Sequence, residues 1–353
     1  MEFLEILSIP LRRLLSVFLT PGSLFFITGL LSALTVAVIF LVRKRLARNR
    51  HVRVKTIARA LFPRWILRSR SHATDVGYFF FAALVFSIIF GQVIVSFQVV
   101  SNLVLGGMTS AFGTASPTGM PEWFCRAAIT LVLFLAYELG YWIDHYLMHR
   151  IPALWEFHKV HHSAEVLTPL TQFRLHPVDA IINGNILAVT IGIANGLANY
   201  GFGRSTVPFA ITDTNLLFVF FVHAYLLLQH THLWITFRGW AGHVFLSPAH
   251  HQIHHSINPA HFNKNLGSTL GIFDWLFGTL YVPAKEAEKV SFGVEAEHGH
   301  DHHALLGTLV DPVWRVALQL RGLFLGQEMP ATAPANPAAE TAGAVGEAHP
   351  AST

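Results

Sequence analysis

Apolar residues in this chain come in long, nearly unbroken runs, unlike the narrow stripe of an amphipathic surface helix. A transmembrane helix needs about 20 mostly apolar residues. Leu24–Val42 and Val76–Val100 reach that scale without a single charge. Ala127–Ile143 is interrupted only by Glu138, and Val178–Ala198 is softened by Asp179, Asn183 and Asn185. Phe209–Leu228 carries Asp213 and His223. The pattern predicts an all-α, multi-pass bundle of about five spans, with residues 3–19 lying in the interface as an amphipathic helix. Glu2 and Glu5 spoil a positively charged leader, so no cleaved signal peptide is expected. There is no internal repeat. The Ala/Pro-rich tail from about residue 330 is expected to be disordered.

Composition agrees with a membrane protein. Of 353 residues, 52% are hydrophobic and 12% charged, against about 25% charged in a soluble domain. A core of this size cannot bury that excess, which excludes a soluble enzyme and a disordered chain. The single cysteine, Cys125, excludes an internal disulfide, a four-cysteine cluster and any CxxC site. Basic residues set the orientation. The connection 43–75 holds eleven Lys and Arg, and 101–122 holds none. By the positive-inside rule 43–75 is cytoplasmic. Residues 144–177 and everything after 229 then follow on that side. A nucleic-acid arm does not fit, because the basic stretch sits between two spans with no interleaved aromatics.

Histidine changes the picture most. Of 22 histidines, 15 fall between 145 and 261, nearly all at the cytoplasmic ends of the third and fifth spans or just beyond. Three clusters have helical spacing: His145 and His149; His158, His161 and His162; and His251, His254 and His255. Residues three and four apart share a helix face. Each cluster therefore aims two or three imidazoles at one place, and imidazole suits iron, zinc, copper and nickel. Eight such ligands are too many for one ion and suit two. His176, His230 and His232 are candidates to complete the shells. His250 lies about 100° round the helix from His251, so it is expected to support a ligand from behind and not to bind metal itself. Glu138 lies on the stripe carrying His145 and His149, about two turns deeper. There it is expected to accept a hydrogen bond from a ligand histidine, with His230 the first choice, the alternative being a carboxyl hydrogen-bonded to Tyr or Asn inside the bundle with no link to the metals. The irregular EHGHDHH stretch, with His298, His300, His302 and His303, is expected to be solvated and not catalytic.

These residues resemble the fatty acid hydroxylase / sterol desaturase superfamily of integral-membrane di-iron enzymes. The resemblance runs from about 127 to 281, through YWIDHYLMHR, LWEFHKVHHS, RLHP, QH at 229–230, SPAHHQIHHS, NLG and DWLFGTLY. Tyr146, where many members have arginine, and Leu266, where an aromatic is frequent, depart from the pattern without touching a ligand. The resemblance implies two non-haem iron ions, use of O2, and hydroxylation of an unactivated C–H bond in an acyl chain, sterol or isoprenoid; desaturation on the same site is the nearest alternative. No dinucleotide or haem motif is present. Electrons are therefore expected from a separate ferredoxin- or cytochrome-type donor with its reductase. Glu-x-x-His pairs of the soluble di-iron bundles occur only at Glu295–His298 and Glu297–His300. A zincin H-E-x-x-H is absent. A divalent-metal transporter is the alternative from another class, but its ligands would sit near the bilayer midplane. Four segments follow: 1–75, with the first span and basic connection; 76–126, with the second span and an extracytoplasmic loop; a catalytic domain, 127–281; and a cytoplasmic tail, 282–353.

Overall fold

A computed structural model describes residues 2–20, 23–86, 93–294 and 301–325. The protein is mostly helical, and among the described residues three helices are long and apolar enough to cross a membrane: Ile27–Leu46, Glu122–Arg150 and Pro177–Phe202. They match the first, third and fourth predicted spans. At 1.5 Å per residue the 29-residue Glu122–Arg150 helix is about 43 Å long, against a hydrocarbon core of about 30 Å. It outruns the apolar layer, and its last turns carry His145 and His149.

The second predicted span is not one helix. Arg70–Phe81 runs into a π turn at Ala82–Phe86, and a separate helix, Phe97–Phe112, starts after a Ser96 cap. Half of the expected loop 101–122 is therefore helical. One face of Phe97–Phe112, with Val100 and Val104, packs laterally against Pro177–Phe202, whose Gly192 and Gly196 form a small-xxx-small face, while Phe97, Val99, Leu103 and Phe112 are exposed on the outside. A Cβ at Gly192 would stand 2.6 Å from Val100 Cβ, and one at Gly196 2.7 Å from the Ser101 carbonyl oxygen. Asn195 Nδ2 completes the contact by donating to Ser101 Oγ at 2.9 Å.

The fifth predicted span is also broken. Ala210–Ile211 and Thr214–Asn215 pair as a small antiparallel hairpin. Its turn residues, Thr212 and Asp213, have φ of 45° and 64°, the left-handed geometry of a two-residue hairpin turn. Asn215 then caps a nine-residue helix, Leu216–Ala224. That is about 14 Å long, half of what a crossing needs. The charge at Asp213 that interrupted the apolar run marks the turn. The predicted disordered tail from 330, together with His298 and His300, lies outside the described residues.

Three segments run side by side toward the histidine end. Phe134 stacks on Phe221 at 5.4 Å, Ser32 Oγ donates to the His223 carbonyl, and Ala33 and Ala37 pack with Leu227, Leu228 and Leu233. The basic connection arrives at the same end. It folds as two short helices, Val54–Leu61 and Arg64–Leu67, and the Ala60 carbonyl accepts from His232 Nε2 at 2.7 Å. Further on, Asp75 pairs with the fully buried Arg174 at 3.2 Å. The short box-bearing helices Pro152–His162 and Pro248–His254 both begin with proline in the first turn, where its missing N–H is harmless.

Candidate metal centre

Nine histidines converge in two groups. His145, His149, His158, His162 and His254 form one; His161, His230, His251 and His255 form the other. Within each group the ligand nitrogens lie within 4.8 Å of one another, and all nine residues are buried. The H-x-x-H-H pattern thus splits between the groups. His158 and His162, four apart, face the first, and His161 faces the second. In the later box His254 joins the first group, while His251 and His255 join the second.

Tautomers follow from the outer contacts. His145 Nδ1 lies 2.8 Å from the Leu266 carbonyl, His254 Nδ1 3.0 Å from the Lys264 carbonyl, and His158 Nδ1 2.9 Å from Asp179 Oδ2. These oxygens only accept, so each Nδ1 carries the proton and each Nε2 presents a lone pair inward. Yet His145 Nε2 and His158 Nε2 stand 3.1 Å apart. Nε2 of His149, His162 and His254 are buried with no hydrogen-bond partner. Lone pairs gathered in this way repel unless a cation lies among them. In the second group His230 Nε2 is 3.1 Å from that of His161, 2.8 Å from that of His251 and 3.3 Å from that of His255. Metal–imidazole bonds of about 2.0–2.1 Å put neighbouring ligand nitrogens about 3 Å apart. The donor set fits one metal ion per group.

Burial keeps the imidazoles in the neutral form that metals require. It holds His161, His162, His251 and His255 well below the ordinary histidine value, aided by neighbouring imidazoles. Burial likewise pushes His230 and His254 down to about 3.

One loop, 264–270, templates the first group. Its Lys264 and Leu266 carbonyls accept from His254 and His145, and two buried carboxylates hold it in place. Asp274 accepts from the Leu266 and Gly267 amides, both at 2.8 Å, and from Thr279 Oγ1 at 2.6 Å. Glu138 accepts from the Thr269 amide at 3.0 Å, the Leu270 amide at 2.8 Å and Thr269 Oγ1. Here the structure corrects the expectation for Glu138. It touches no histidine, and its partners are this loop. The helix stripe gives the face on which Glu138 stands, and the partners on that face are the Thr269 and Leu270 amides.

Two further expectations are corrected. His176 joins neither group: its Nδ1 accepts from the Val178 amide, capping Pro177–Phe202, and its Nε2 donates to the Leu309 carbonyl at 3.0 Å. His250 contacts no ligand side chain. Its Nδ1 accepts from the Ser247 amide as part of a capping box, and its Nε2 donates to the Gly242 carbonyl. His232, engaged with Ala60, is also outside both groups. Sequence reasoning missed Asp179. The available signal was a carboxylate at the mouth of an apolar run, three residues after His176.

Residues 130–279 match the fatty acid hydroxylase family model. Alkylglycerol monooxygenase of Danio rerio is 30% identical over 173 residues, covering 46% of this chain and 32% of that protein. The human alkylglycerol monooxygenase is 28% identical over 164 residues, with the same coverage. Ornithine lipid hydroxylase OlsE of Rhizobium tropici is 31% identical over 166 residues, 46% of this chain and 45% of that protein. The chain thus spans about a third to under a half of the length of these curated relatives. No solved structure matches. Fatty acid hydroxylases are in general iron-dependent, which agrees with two groups of neutral imidazoles. The stretch that carries both histidine groups belongs to the fatty acid hydroxylase superfamily.

Proposed function

We propose that this chain is an integral-membrane di-iron oxygenase that hydroxylates an unactivated C–H bond of a lipid. The observation that carries this reading is the pair of adjacent all-histidine groups, five and four strong. The names of the relatives, alkylglycerol monooxygenase and ornithine lipid hydroxylase, support a lipid substrate. Bound iron would supply the activation of O2 and the hydrogen abstraction that no side chain performs. The chain's own residues do the rest. Nine imidazoles hold the ions and remain neutral. Asp179 and the 264–270 loop fix the ring orientations, which raises ligand basicity. Burial of both groups keeps bulk water from the reacting carbon. Electrons come from a separate protein on the cytoplasmic side, where the positive-inside rule puts the basic connection and, with it, the histidine end.

The test is metal analysis of purified protein together with O2-dependent product formation from a membrane lipid extract. Two irons per chain are expected, falling toward one in His254→Ala and in His230→Ala, with turnover lost in both. His51→Ala, in the exposed connection, should change neither. Full turnover in either of the first two variants would remove the di-iron reading.

A further inference from the structure

The histidine groups account for the chemistry but not for how a lipid chain is held. The wall of a cavity of about 410 Å³ supplies a candidate, within the range of about 300–1,000 Å³ common to small-molecule sites. One side is the segment Leu227–Leu233, which carries His230. A second side is Leu167–Leu170, just beyond the box helix that ends at His162. More than half of the lining precedes residue 73, outside the family match at 130–279. It includes Ala33 and Ala37 on one face of the Ile27–Leu46 helix, and Ile66. The two alanines, four residues apart, keep that face thin and leave the space open.

The lining is almost entirely apolar. Thr168, Thr231 and His232 each commit a polar atom to another protein group. His72 Nδ1, also in the wall, is buried without a hydrogen-bond partner. An unpaired buried polar atom is costly, so this nitrogen calls for a partner from the occupant. Exposed Leu67 and Phe62 at the rim leave the cavity open, and the Ile27–Leu46 helix beside it is long enough to cross the bilayer.

We propose that this cavity holds a single alkyl or acyl chain of a membrane lipid, with one hydrogen-bonding group of that lipid at His72. The N-terminal segment thereby sets which chains are accepted. The inference rests on the lipid-hydroxylase reading for the identity of the occupant, but its test needs neither iron nor turnover.

The probe is hexadecanol carrying a diazirine, photolysed in membranes containing the full chain and mapped by peptide mass spectrometry. Labels are expected on the peptides of Ala33–Ala37, Ile66–Leu67 and Leu227–Leu233. Ala37→Phe and, independently, Ala33→Phe should cut that labelling about tenfold, about 1.4 kcal/mol, because the ring would take up space that the alanines leave open. Ile39→Phe, on the exposed part of the same helix, should not. His72→Leu should lower capture of the alcohol and spare capture of the matching alkane probe. Labelling confined to outward residues such as Ile39, or unchanged in both alanine variants, would overturn the proposal. A protein that captures the probe here and forms no product would overturn the hydroxylase reading and leave the cavity assignment standing.

Discussion

Asp179 Oδ2 accepts a hydrogen bond from His158 Nδ1 at 2.9 Å, joining the start of the Pro177–Phe202 helix to the middle of Pro152–His162. Both side chains are nearly inaccessible. A buried carboxylate so placed fixes the imidazole tautomer and increases the electron density at the opposite nitrogen. Asp179→Asn keeps the volume and removes the charge. Metal affinity of the five-histidine group should fall about 10–100-fold, while the His161 group, which Asp179 does not touch, keeps its ion. Chelator titration followed by metal analysis separates the two. Equal retention at both groups in the variant would show that Asp179 has only a packing role.

Glu138→Gln should act on the loop and not on a ligand. One of the two carboxyl oxygens becomes an NH2, which displaces an acceptor either from the Thr269 and Leu270 amides, both on Oε2, or from the Thr269 hydroxyl on Oε1, and the charge that strengthens all three bonds is lost. Each buried group left unpaired costs about 1–3 kcal/mol. The thermal midpoint of detergent-solubilised protein should therefore drop by several degrees, by about 2–4 °C per kcal/mol lost. The Leu266 and Lys264 carbonyls then hold His145 and His254 less firmly, so iron loss should begin in the five-histidine group. Thr269→Val removes one hydrogen bond to the same carboxylate and should cost less. A Glu138→Gln protein that emptied the His230 group first would restore a direct link between those two residues.

What could be read from sequence follows from the range of each signal. The eight box histidines are local patterns, three and four residues apart, and helical spacing marks them as a set; it does not aim each cluster at one place, because both H-x-x-H-H boxes divide between the two groups. His230 was reachable because it ends an apolar run. His158 and Asp179, or His145 and the Leu266 carbonyl, are separated by 21 and 121 residues, and no periodicity pairs them. The same limit explains Glu138: a helix stripe specifies a face and leaves its neighbour open. That the second and fifth predicted spans are not single helices has another reason. Apolarity reports a surface away from water, and it reads alike for a bilayer crossing, for the lateral contact of Phe97–Phe112, and for the short helix Leu216–Ala224.

That lateral contact is testable through its glycines. A side chain at Gly196 would collide with the Ser101 carbonyl and Val104, and backbone cannot yield as a flexible side chain can. Gly196→Val should lower stability by about 1–3 kcal/mol and leave metal occupancy of the folded fraction unchanged, since the contact lies between two apolar helices away from both histidine groups. Gly201, on the same helix, has open space where a Cβ would go. Gly201→Val should be neutral or slightly stabilising, by a few tenths of a kcal/mol at most, because glycine is the poorer helix former. Detergent-phase thermal melts of the two variants decide the matter. Equal melting would mean that the approach at Gly196 is not tight.

The final prediction concerns sidedness. Residues 113–121 hold no Lys or Arg. They sit at the start of the Glu122–Arg150 helix and beside the end of Pro177–Phe202, where the Thr118 amide donates to the Phe202 carbonyl at 3.0 Å. Both helices have their other ends at the histidines. The eleven basic residues of 43–75 arrive at that other end, through Ala60 to His232 and Asp75 to Arg174. The charge asymmetry and the geometry therefore point the same way. With buried Cys125 first replaced by alanine, single cysteines at the exposed positions Arg48, Thr114 and Lys285 report the two faces to a membrane-impermeant maleimide. Arg48→Cys and Lys285→Cys should react only from the cytoplasmic side, and Thr114→Cys only from the opposite side. Reaction of Arg48→Cys and Lys285→Cys from different sides would separate the basic connection from the histidine end and overturn the orientation.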